Sequence, residues 1–457
     1  MYKTIQRVHF IGIGGIGMSG LAEILLNLGY KVSGSDLKAS PIIQRLRRLG
    51  AKISTQHRAQ NVEGAQVAVV SSAIPKTNPE VEEAIRQNIP VAARAEILAE
   101  LMRLKYGIAI AGTHGKTTTT SLIAAVLHEG KFDPTVVVGG KVRSLRTNAR
   151  LGRGEFMVAE ADESDGSFLK LSPTIAVITT IDVEHMDHYK DFQEVQQTYL
   201  EFCQKIPFYG LAVLGLDDPV VRRLARRLSK RVLTYRLGGK ADLTATHLKQ
   251  KENKIEAIVH FHEKKLGKIR LNIPGKHNIS NALAAVAVGL ELGIPFKTIS
   301  RALARFKGIS RRLEIVGRQE KQMVLDDYGH HPTEIRATLE AIQKGWRQPV
   351  TVVFQPHRYT RTRDLLKDFC TAFKQADEVI ITDIYAASEM PIQGINGENL
   401  AKQIKHPRVN YEPDFETIIS RLSQKLLGEK KKERIILTLG AGDVWKIGKE
   451  IARRTFH

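Results

Sequence analysis

Hydrophobic positions in this sequence fall into short apolar runs, and most runs are followed by a polar or glycine-rich loop and then by a longer segment of helical character. This alternation predicts an α/β fold, in which buried parallel strands are connected by helices. The predicted strands cover residues 8–11, 31–36, 67–70, 108–111, 155–159, 175–179, 313–316, 323–326, 350–354, 378–382 and 434–438. One predicted helix ends at residue 28, and two others cover residues 120–127 and 282–292.

Two polar segments separate these elements into groups. One is Lys105-Tyr106-Gly107, and the other is the basic connector Gly308-Ile309-Ser310-Arg311-Arg312. A chain of 457 residues is long enough for several domains with sizeable cores. We therefore predict three domains, over residues 1–105, 106–310 and 311–457.

The most specific motif lies between the predicted strand 108–111 and the predicted helix 120–127. Its residues are Gly112, Thr113, His114, Gly115, Lys116, Thr117 and Thr118. Glycines let backbone N–H groups approach phosphate oxygens, Lys116 adds a positive charge, and the Thr117 hydroxyl suits a phosphate-bound Mg²⁺. The loop is short, because its first glycine lies three residues before Gly115 and not five. The motif predicts an ATP site, with an incidental glycine turn as the alternative.

A second glycine-rich turn, Gly12-Ile13-Gly14-Gly15-Ile16-Gly17, connects the first predicted strand to a helix. Asp36 ends the next predicted strand, at a distance typical of dinucleotide-binding folds. A lone glycine motif is weak support for NAD, since the same turn can hold any diphosphate at a helix N-terminus or simply pack a helix on a strand. All three interpretations stay open from the residues alone.

Acidic and histidine residues follow two further predicted strands near the phosphate loop. Glu160 follows strand 155–159, and His185 lies shortly after strand 175–179. Ligands of open α/β sheets bind at this edge, and Mg²⁺ takes oxygen ligands beside substrate phosphates. Metal ligation is therefore favoured over helix capping for Glu160 and over a plain loop role for His185.

The last third of the chain repeats this arrangement of polar residues at strand ends. The loop residues of interest are Tyr328, His330, His331, Arg358 and Arg361. Two adjacent histidines ligate one transition metal only with difficulty. Contacts with substrate or with the transition state are therefore favoured over a metal cluster.

The charge balance narrows the choice of partners. Lys and Arg number 69 against 48 Asp and Glu, so the formal net charge is +21, which favours anionic ligands. The basic residues are spread along the chain and no basic segment with interleaved aromatic residues stands out, so phosphorylated small molecules are favoured over nucleic acid. A content of 42% hydrophobic and 26% charged residues is typical of a soluble globular protein.

Cysteine content and hydropathy bear on the cellular setting. Cys203 and Cys370 are the only cysteines and lie far apart, which argues against a disulfide framework and favours the reducing cytoplasm. The apolar stretch 10–28 contains repeated glycines, Glu23 and Asn27. We therefore predict neither an export signal nor a membrane-inserted segment.

Taken in order, these motifs resemble those of the Mur ligases. The resemblance also includes the segments Glu160-Ala161-Asp162-Glu163-Ser164-Asp165, Gly275-Lys276-His277-Asn278 with Asn281, and Asp327-Tyr328-Gly329-His330-His331-Pro332. It extends over essentially the whole chain. It implies an N-terminal Rossmann-like UDP-substrate domain, a central P-loop ATPase-like domain and a C-terminal Rossmann-like domain that binds the amino acid.

The form of the motifs is most similar to the family branch that adds L-alanine to UDP-N-acetylmuramate. The resemblance then implies ATP and Mg²⁺ as cofactors, an acyl-phosphate intermediate and a cytoplasmic location. It further implies a monomer or weak homodimer, with no nucleic acid and no membrane insertion.

The resemblance implies a role for each matching residue. Lys116 and Thr117 would bind the ATP phosphates and Mg²⁺, with Glu160 and His185 as further metal ligands. The residues implied near the adenine or ribose are His277, Asn278 and Asn281. Those implied near the UDP diphosphate, nucleotide or sugar are Gly14, Gly15, Gly17, Ser35, Asp36, Ser71 and Ser72. Those implied near the γ-phosphate and attacking groups are His330, Arg358 and Arg361, with Tyr328 near the incoming alanine.

One segment differs from part of the family. Several Mur ligases hold a second Mg²⁺ with a carbamylated lysine downstream of the metal-binding histidine, whereas this sequence has Tyr199-Leu200-Glu201 in that region. Three other functions stay open: a recycling ligase that joins a preformed peptide to the same sugar acid, an NAD-dependent oxidoreductase, and a basic ATPase that acts on nucleic acid.

Overall fold

The computed structural model describes residues 5–71, 73–142, 147–429 and 432–456. Its strands form three sheets, of five, ten and six strands. One sheet lies within each of the three predicted domain ranges, and helices connect the strands. The expectation of a three-domain α/β fold is thus confirmed, while the exact domain boundaries stay a prediction.

The first sheet is built from short parallel strands. They are β1 (Arg7–Ile11), β2 (Lys31–Ser35), β3 (Lys52–Ser54), β4 (Val67–Val70) and β5 (Val91–Ala93). The helices of this region are α1 (Ile16–Asn27), α2 (Pro41–Arg48), α3 (Pro79–Arg86) and α4 (Arg94–Met102), with a 3₁₀ turn at Ala59–Val62. The strand order is β3-β2-β1-β4-β5, so the glycine turn after β1 leaves the centre of the sheet.

The second sheet carries the phosphate loop. Its strands are β6 (Tyr106–Ala111), β7 (Thr135–Val142), β8 (Thr147–Arg150), β9 (Phe156–Glu160), β10 (Ile175–Ile178), β11 (Leu211–Gly215), β12 (Val232–Arg236), β13 (Leu243–Lys251), β14 (Lys254–Phe261) and β15 (Lys264–Leu271). The helices are α5 (Lys116–Glu129), α6 (Phe192–Gln204), α7 (Pro219–Ala225), α8 (Lys276–Glu291) and α9 (Phe296–Arg305), with a 3₁₀ turn at Ser167–Lys170.

The order of this sheet is β15-β14-β13-β12-β11-β10-β6-β9-β7-β8. β6 pairs in parallel with both β9 and β10. Because the carboxyl ends of parallel strands share one edge, the phosphate loop, Glu160 and the segment after β10 meet there.

The third sheet follows the connector at residues 308–312. Its strands are β16 (Glu314–Gln319), β17 (Gln322–Asp327), β18 (Val350–Phe354), β19 (Glu378–Ile381), β20 (Val409–Tyr411) and β21 (Arg434–Leu439). The helices are α10 (Pro332–Gly345), α11 (Tyr359–Asp364), α12 (Leu366–Ala372), α13 (Gly397–Gln403), α14 (Phe415–Gly428) and α15 (Trp445–Thr455). β17, β21, β18 and β19 are adjacent and parallel, as predicted for buried apolar runs, whereas β16 pairs antiparallel with β17.

The chain is organised as two compact units. The first comprises Met1–Ala245, Val259–Gly267 and Ser280–Phe306, and the second comprises Thr246–Ile258, Lys268–Ile279 and Lys307–His457. In the first unit, one hydrophobic cluster contains side chains of both the first and the second sheet. The glycine turn after β1 and the phosphate loop after β6 therefore belong to the same packed body.

The two cysteines lie in different environments and are unpaired. Cys203, on α6, is fully buried, and this burial raises the pKa of its thiol to about 12. Cys370, on α12, is partly exposed.

A buried carboxylate ties together the ends of several elements of the first sheet. Glu80, in the first turn of α3, is fully buried. Its Oε2 accepts a hydrogen bond from the Ser35 hydroxyl and lies 3.2 Å from His57 Nδ1, and its Oε1 accepts from the Asn61 amide. Burial alone would raise the pKa of Glu80, but its contacts with His9, Asn61 and Ser35 outweigh burial and lower that pKa to about 2.

We predict that Glu80→Gln lowers the free energy of unfolding by about 3 kcal/mol at pH 7, because it removes the charge from a buried hydrogen-bonded network. A depressed carboxyl pKa stabilises the fold above the unfolded pKa, and this stabilisation is lost as pH falls toward 2. Denaturant unfolding at pH 7 and pH 3 should therefore show a smaller difference between variant and wild type at pH 3. Glu82→Gln, on the exposed side of the same helix, is the control. Equal losses for the two variants would contradict the assignment.

Candidate active site

The phosphate loop is formed by four residues between β6 and α5. Gly112 and Gly115 adopt positive φ angles of 133° and 82°, a conformation that favours glycine. The backbone N–H of Thr113 donates to the Thr180 carbonyl over 2.9 Å, and that of His114 donates to the Thr180 hydroxyl over 3.0 Å. The segment after β10 therefore fixes the start of the loop.

A neighbouring helix closes the other side of the loop. A Cβ atom added at Gly115 would lie 2.6 Å from Asn281 Oδ1, on α8. The same Asn281 oxygen accepts a hydrogen bond from the Thr119 hydroxyl over 3.2 Å. Asn281 thus packs directly on the phosphate loop and on the first turn of α5.

The Lys116 side chain is folded back onto its own loop. Its ammonium group donates to the Gly112 carbonyl over 2.7 Å and to Glu163 Oε1 over 2.6 Å. Burial tends to lower the pKa of Lys116, but the carboxylates of Glu163, Glu160 and Asp162 outweigh burial and raise that pKa above its ordinary value. Lys116 is therefore a permanent positive charge at the mouth of the loop.

Thr117 and Glu160 form the first possible position for a cation. The Thr117 hydroxyl donates to Glu160 Oε1 over 2.9 Å, and the backbone N–H of Gly139 donates to Glu160 Oε2 over 2.6 Å. A hydroxyl and a carboxylate at adjoining strand and helix ends match the oxygen ligands that Mg²⁺ prefers. The donor set thus fits the metal site expected from the sequence.

His185 belongs to a second group of polar side chains. Its φ angle is 59°, and its Nε2 lies 3.9 Å from both Glu163 Oε1 and Glu184 Oε2. The structure therefore places Thr117 with Glu160, and His185 with Glu163 and Glu184. Lys116 contacts the second group through Glu163.

Several residues of this site were not singled out from the sequence. Glu163 is 3% exposed and takes part in both the Lys116 and the His185 contacts. Asp182 Oδ2 lies 3.2 Å from His114 Nε2. The motif Glu160-Ala161-Asp162-Glu163 contains the first of these residues, but its spacing does not reveal which carboxylate faces Lys116.

The glycine turn of the first sheet is held by the end of β2. The N–H groups of Gly12 and Ile13 donate to the Ser35 carbonyl over 2.9 and 3.0 Å, and the Gly14 N–H donates to Asp36 Oδ2 over 2.9 Å. The Ser35 side chain is fully buried. Ser35 and Asp36 therefore shape the turn from within, and the Ser35 hydroxyl donates to the buried Glu80.

Residues from other segments lie close to this glycine turn. A Cβ atom added at Gly17 would lie 3.0 Å from the Arg94 side chain, and one at Gly12 would lie 3.8 Å from Ser71 Cβ. Arg94 also donates to Asp162 Oδ2 over 3.1 Å, and so connects the turn to the acidic segment beside the phosphate loop. Ser72 lies outside the described residues.

In the second unit, an aromatic side chain lies between two arginines. Tyr328 is 36% exposed, and the guanidinium carbons of Arg311 and Arg312 lie 5.1 and 5.3 Å from its ring centre. His330 Nδ1 lies 3.0 Å from the Tyr328 carbonyl, and its backbone N–H donates to Glu334 Oε2. The end of β17 thus presents a ring, a histidine and two positive charges together.

The loop after β18 adjoins this group. The rings of His330 and His357 are 5.7 Å apart, and a guanidinium nitrogen of Arg361 lies 3.0 Å from His357 Nδ1. Arg358 adopts a φ of 70° and lies 4.0 Å from a carboxylate oxygen of Glu389. The predicted residues His330, Arg358 and Arg361 are therefore gathered at one sheet edge, with His357 between them.

His277 and Asn278 occupy the start of α8. The Asn278 amide donates to the Pro274 carbonyl over 2.6 Å and so fixes the turn before the helix. Burial, and then the charge of Arg312, lower the pKa of His277 to about 4, so this imidazole is neutral at pH 7. A role of either residue at the adenine or ribose stays a prediction.

Among the described residues, no helix is both long and apolar enough to cross a lipid bilayer.

Family models match nearly the full length of the chain. Residues 7–106 match the model "Mur ligase family, catalytic domain", residues 110–289 match "Mur ligase middle domain", and residues 311–442 match "Mur ligase, glutamate ligase domain". The chain belongs to the Mur ligase family. The resemblance inferred from the motifs is therefore confirmed.

Individual relatives extend the similarity over whole chains. A UDP-N-acetylmuramate–L-alanine ligase of Pelobacter propionicus is 52% identical over 456 residues, which cover 99% of this chain and 98% of the relative. One of Geotalea daltonii is 53% identical over 454 residues, and covers 99% of both chains. The crystal structure of a UDP-N-acetylmuramate-alanine ligase from Thermotoga maritima matches with a TM-score of 0.82 at 28% identity, over 98% of each chain.

A murein peptide ligase from Psychrobacter arcticus shares the fold. Its structure matches with a TM-score of 0.72 at 22% identity, over 98% of each chain. This similarity shows the architecture alone.

We predict that Gly115→Ala both destabilises the fold by about 2 kcal/mol and weakens nucleotide binding, since a Cβ meets Asn281 and the backbone is strained. Gly29→Ala is the matched control, because Gly29 has a φ of 89° but no atom within 4 Å of its added Cβ. Chemical unfolding and titration with ADP measure the two effects. A Gly115→Ala variant that binds ADP as tightly as Gly29→Ala would contradict this account.

Proposed function

We propose that this protein joins L-alanine to the carboxylate of UDP-N-acetylmuramate, with conversion of ATP to ADP and phosphate, in peptidoglycan precursor synthesis. The observation that carries the proposal is the grouping of Lys116, Thr117 and Glu160 at the phosphate loop. It occurs in a chain that is similar over its full length to ligases of that name.

The three predicted domains divide the ligands among them in this proposal. Residues 1–105 bind the UDP substrate at the α1 N-terminus, with Gly14, Gly15 and Gly17 allowing close approach of the diphosphate. Ser35 and Asp36 hold the glycine turn through hydrogen bonds, and Ser71 and Ser72 would bind the nucleotide or sugar. Residues 106–310 bind ATP, and residues 311–457 bind L-alanine near Tyr328.

The charges around the phosphate loop favour divalent cations as partners of the nucleotide. Three carboxylates, those of Glu163, Glu160 and Asp162, act on the single ammonium group of Lys116. Triphosphate would add further negative charge to this region, so its binding requires positive charge that the loop does not supply. When bound, Mg²⁺ supplies that charge and orients the phosphates; Thr117 and Glu160 would hold it at one position, and His185 at a second.

The reaction proceeds by activation of a poor acylating group. The muramyl carboxylate oxygen attacks the γ-phosphorus, an O–P bond forms, and the bond to the β-phosphate oxygen breaks with release of ADP. The alanine amine then attacks the acyl-phosphate carbonyl, a C–N bond forms, the amine loses a proton, and phosphate leaves. Both steps accumulate negative charge, which preorganised cations stabilise.

The chain's own cations would perform this stabilisation. Lys116 is fixed by the loop carbonyl of Gly112 and stays protonated, so it can contact phosphate oxygens. Arg358 and Arg361 are placed by the loop after β18, close to His330, where they would contact the transferred phosphoryl group or the acyl phosphate.

A cytoplasmic location and a monomeric or weakly dimeric state complete the proposal. The unpaired cysteines support a reducing compartment.

The proposal is tested by phosphate release with Mg-ATP, UDP-N-acetylmuramate and single amino acids, with the product mass determined in parallel. We expect phosphate release and a mass increase of one alanine residue only when all three substrates are present. Ligation of a preformed peptide, but not of alanine, would instead identify a recycling ligase. ATP turnover without any muramyl substrate would contradict both functions.

We predict that Arg361→Ala lowers kcat by about a hundredfold, because it removes a preorganised charge from the reaction centre. Arg363→Ala is the control: Arg363 lies on the same helix, is 52% exposed and pairs with Asp364. Phosphate release at saturating substrates measures both variants. A kcat for Arg361→Ala within threefold of that for Arg363→Ala would refute the role.

A further inference from the structure

The two carboxylate oxygens of Glu163 differ in their hydrogen bonding: one accepts a hydrogen bond, and the other has no partner among the described residues. Its Oε1 accepts from Lys116 over 2.6 Å. Its Oε2 is buried and has no hydrogen-bond donor among the described residues. Buried carboxylate oxygens are normally paired, so an orphan of this kind indicates a missing cationic or hydrogen-bonding ligand.

The surroundings of Glu163 favour a cation as that ligand. His185 Nε2 lies 3.9 Å from Glu163 Oε1, and Glu184 Oε2 lies 3.9 Å from the same nitrogen. Asp162 adds a further negative charge near Lys116. A carboxylate beside an imidazole and a second carboxylate offers ligands to a divalent cation, whereas it would repel a phosphate group.

Lys116 is shared between two partners that exclude each other. In this structure its ammonium group pairs with Glu163, and in the proposed reaction it must contact nucleotide phosphates. A carboxylate left behind in a buried site without its counter-ion is costly, so Glu163 must take up a replacement cation or a proton when Lys116 departs.

We propose that Glu163 is an exchange ligand: it holds Lys116 in the free enzyme, and when nucleotide takes Lys116 it ligates, together with His185, a divalent cation. The exchange rests on the proposed nucleotide-dependent function. It assigns Glu163 a role in addition to Thr117 and Glu160, which lie together at a different cation position. The binding of nucleotide and of this cation is then coupled through one side chain.

The position of Tyr199 supports a site completed by Glu163. Burial, and then the charge of Glu163, raise the pKa of the Tyr199 hydroxyl far above its ordinary value. The ring therefore lies near this carboxylate. The buried Glu163 thus lies between this ring and His185, whose Nε2 is 3.9 Å from Glu163 Oε1.

The test uses Glu163→Gln, with adenylyl imidodiphosphate as the nucleotide and Mn²⁺ as the cation. Without metal, the variant should bind the nucleotide about tenfold more tightly than wild type, since Lys116 is released and a negative charge is removed. In the nucleotide complex, electron paramagnetic resonance titration should show one Mn²⁺ bound at least about tenfold more weakly. An unchanged metal-free affinity, or an unchanged Mn²⁺ affinity, overturns the exchange.

Two further variants keep the result interpretable. Asp165→Asn removes an exposed carboxylate two residues away and should match wild type in both titrations. Glu163→Ala removes the side chain and should shift both affinities in the same directions as Glu163→Gln; a wild-type pattern in this variant overturns the proposal. Both are compared with wild type by circular dichroism melting. Failure of the proposed function would show instead as no alanine product from wild type, whatever the Mn²⁺ titrations give.

Discussion

A partly buried ammonium group paired with a carboxylate determines the arrangement of the phosphate loop. A charge in such a place is tolerated only when it is paired, because the unpaired ion costs several kcal/mol. Lys116 meets this requirement with a carbonyl of its own loop and with Glu163, which come from the ends of two adjacent parallel strands. The order of the strands therefore makes this ion pair possible, because it places β9 beside β6.

The phosphate loop was predictable because all its determinants are local. The strand, the glycines, the lysine and the helix follow one another within a few residues. The structure has the predicted strand, β6, and the predicted helix, α5, on the two sides of the loop. The position of Glu160 at a strand end was also predictable, since it follows an apolar run. Arg94 was not, because it meets Asp162 only through folding, and the contact joins segments 68 residues apart. Likewise the contact of the Ser35 hydroxyl with Glu80 was not predictable, because it joins residues 45 positions apart.

Some strands missed by the sequence pattern lack a continuous apolar run, although the fully buried β11 has one. Most predicted strands were apolar runs, whereas β14 alternates buried and half-exposed residues and carries charged ones. Such half-buried strands have no run to detect. The helix α8 begins at Lys276 and not at residue 282, because its first turn is polar and is set by Gly275, whose φ is 98°. In the third sheet, by contrast, the four predicted buried strands are all present.

The unequal environments of the two cysteines have a practical consequence. Thiol reagents attack the thiolate, so the buried Cys203, with its raised pKa, reacts slowly with a maleimide. Cys370 is partly exposed on α12, within the second compact unit. The unaltered chain thus offers a single preferred attachment point for a fluorophore. A dye there would report on the second compact unit in solution without any engineered cysteine.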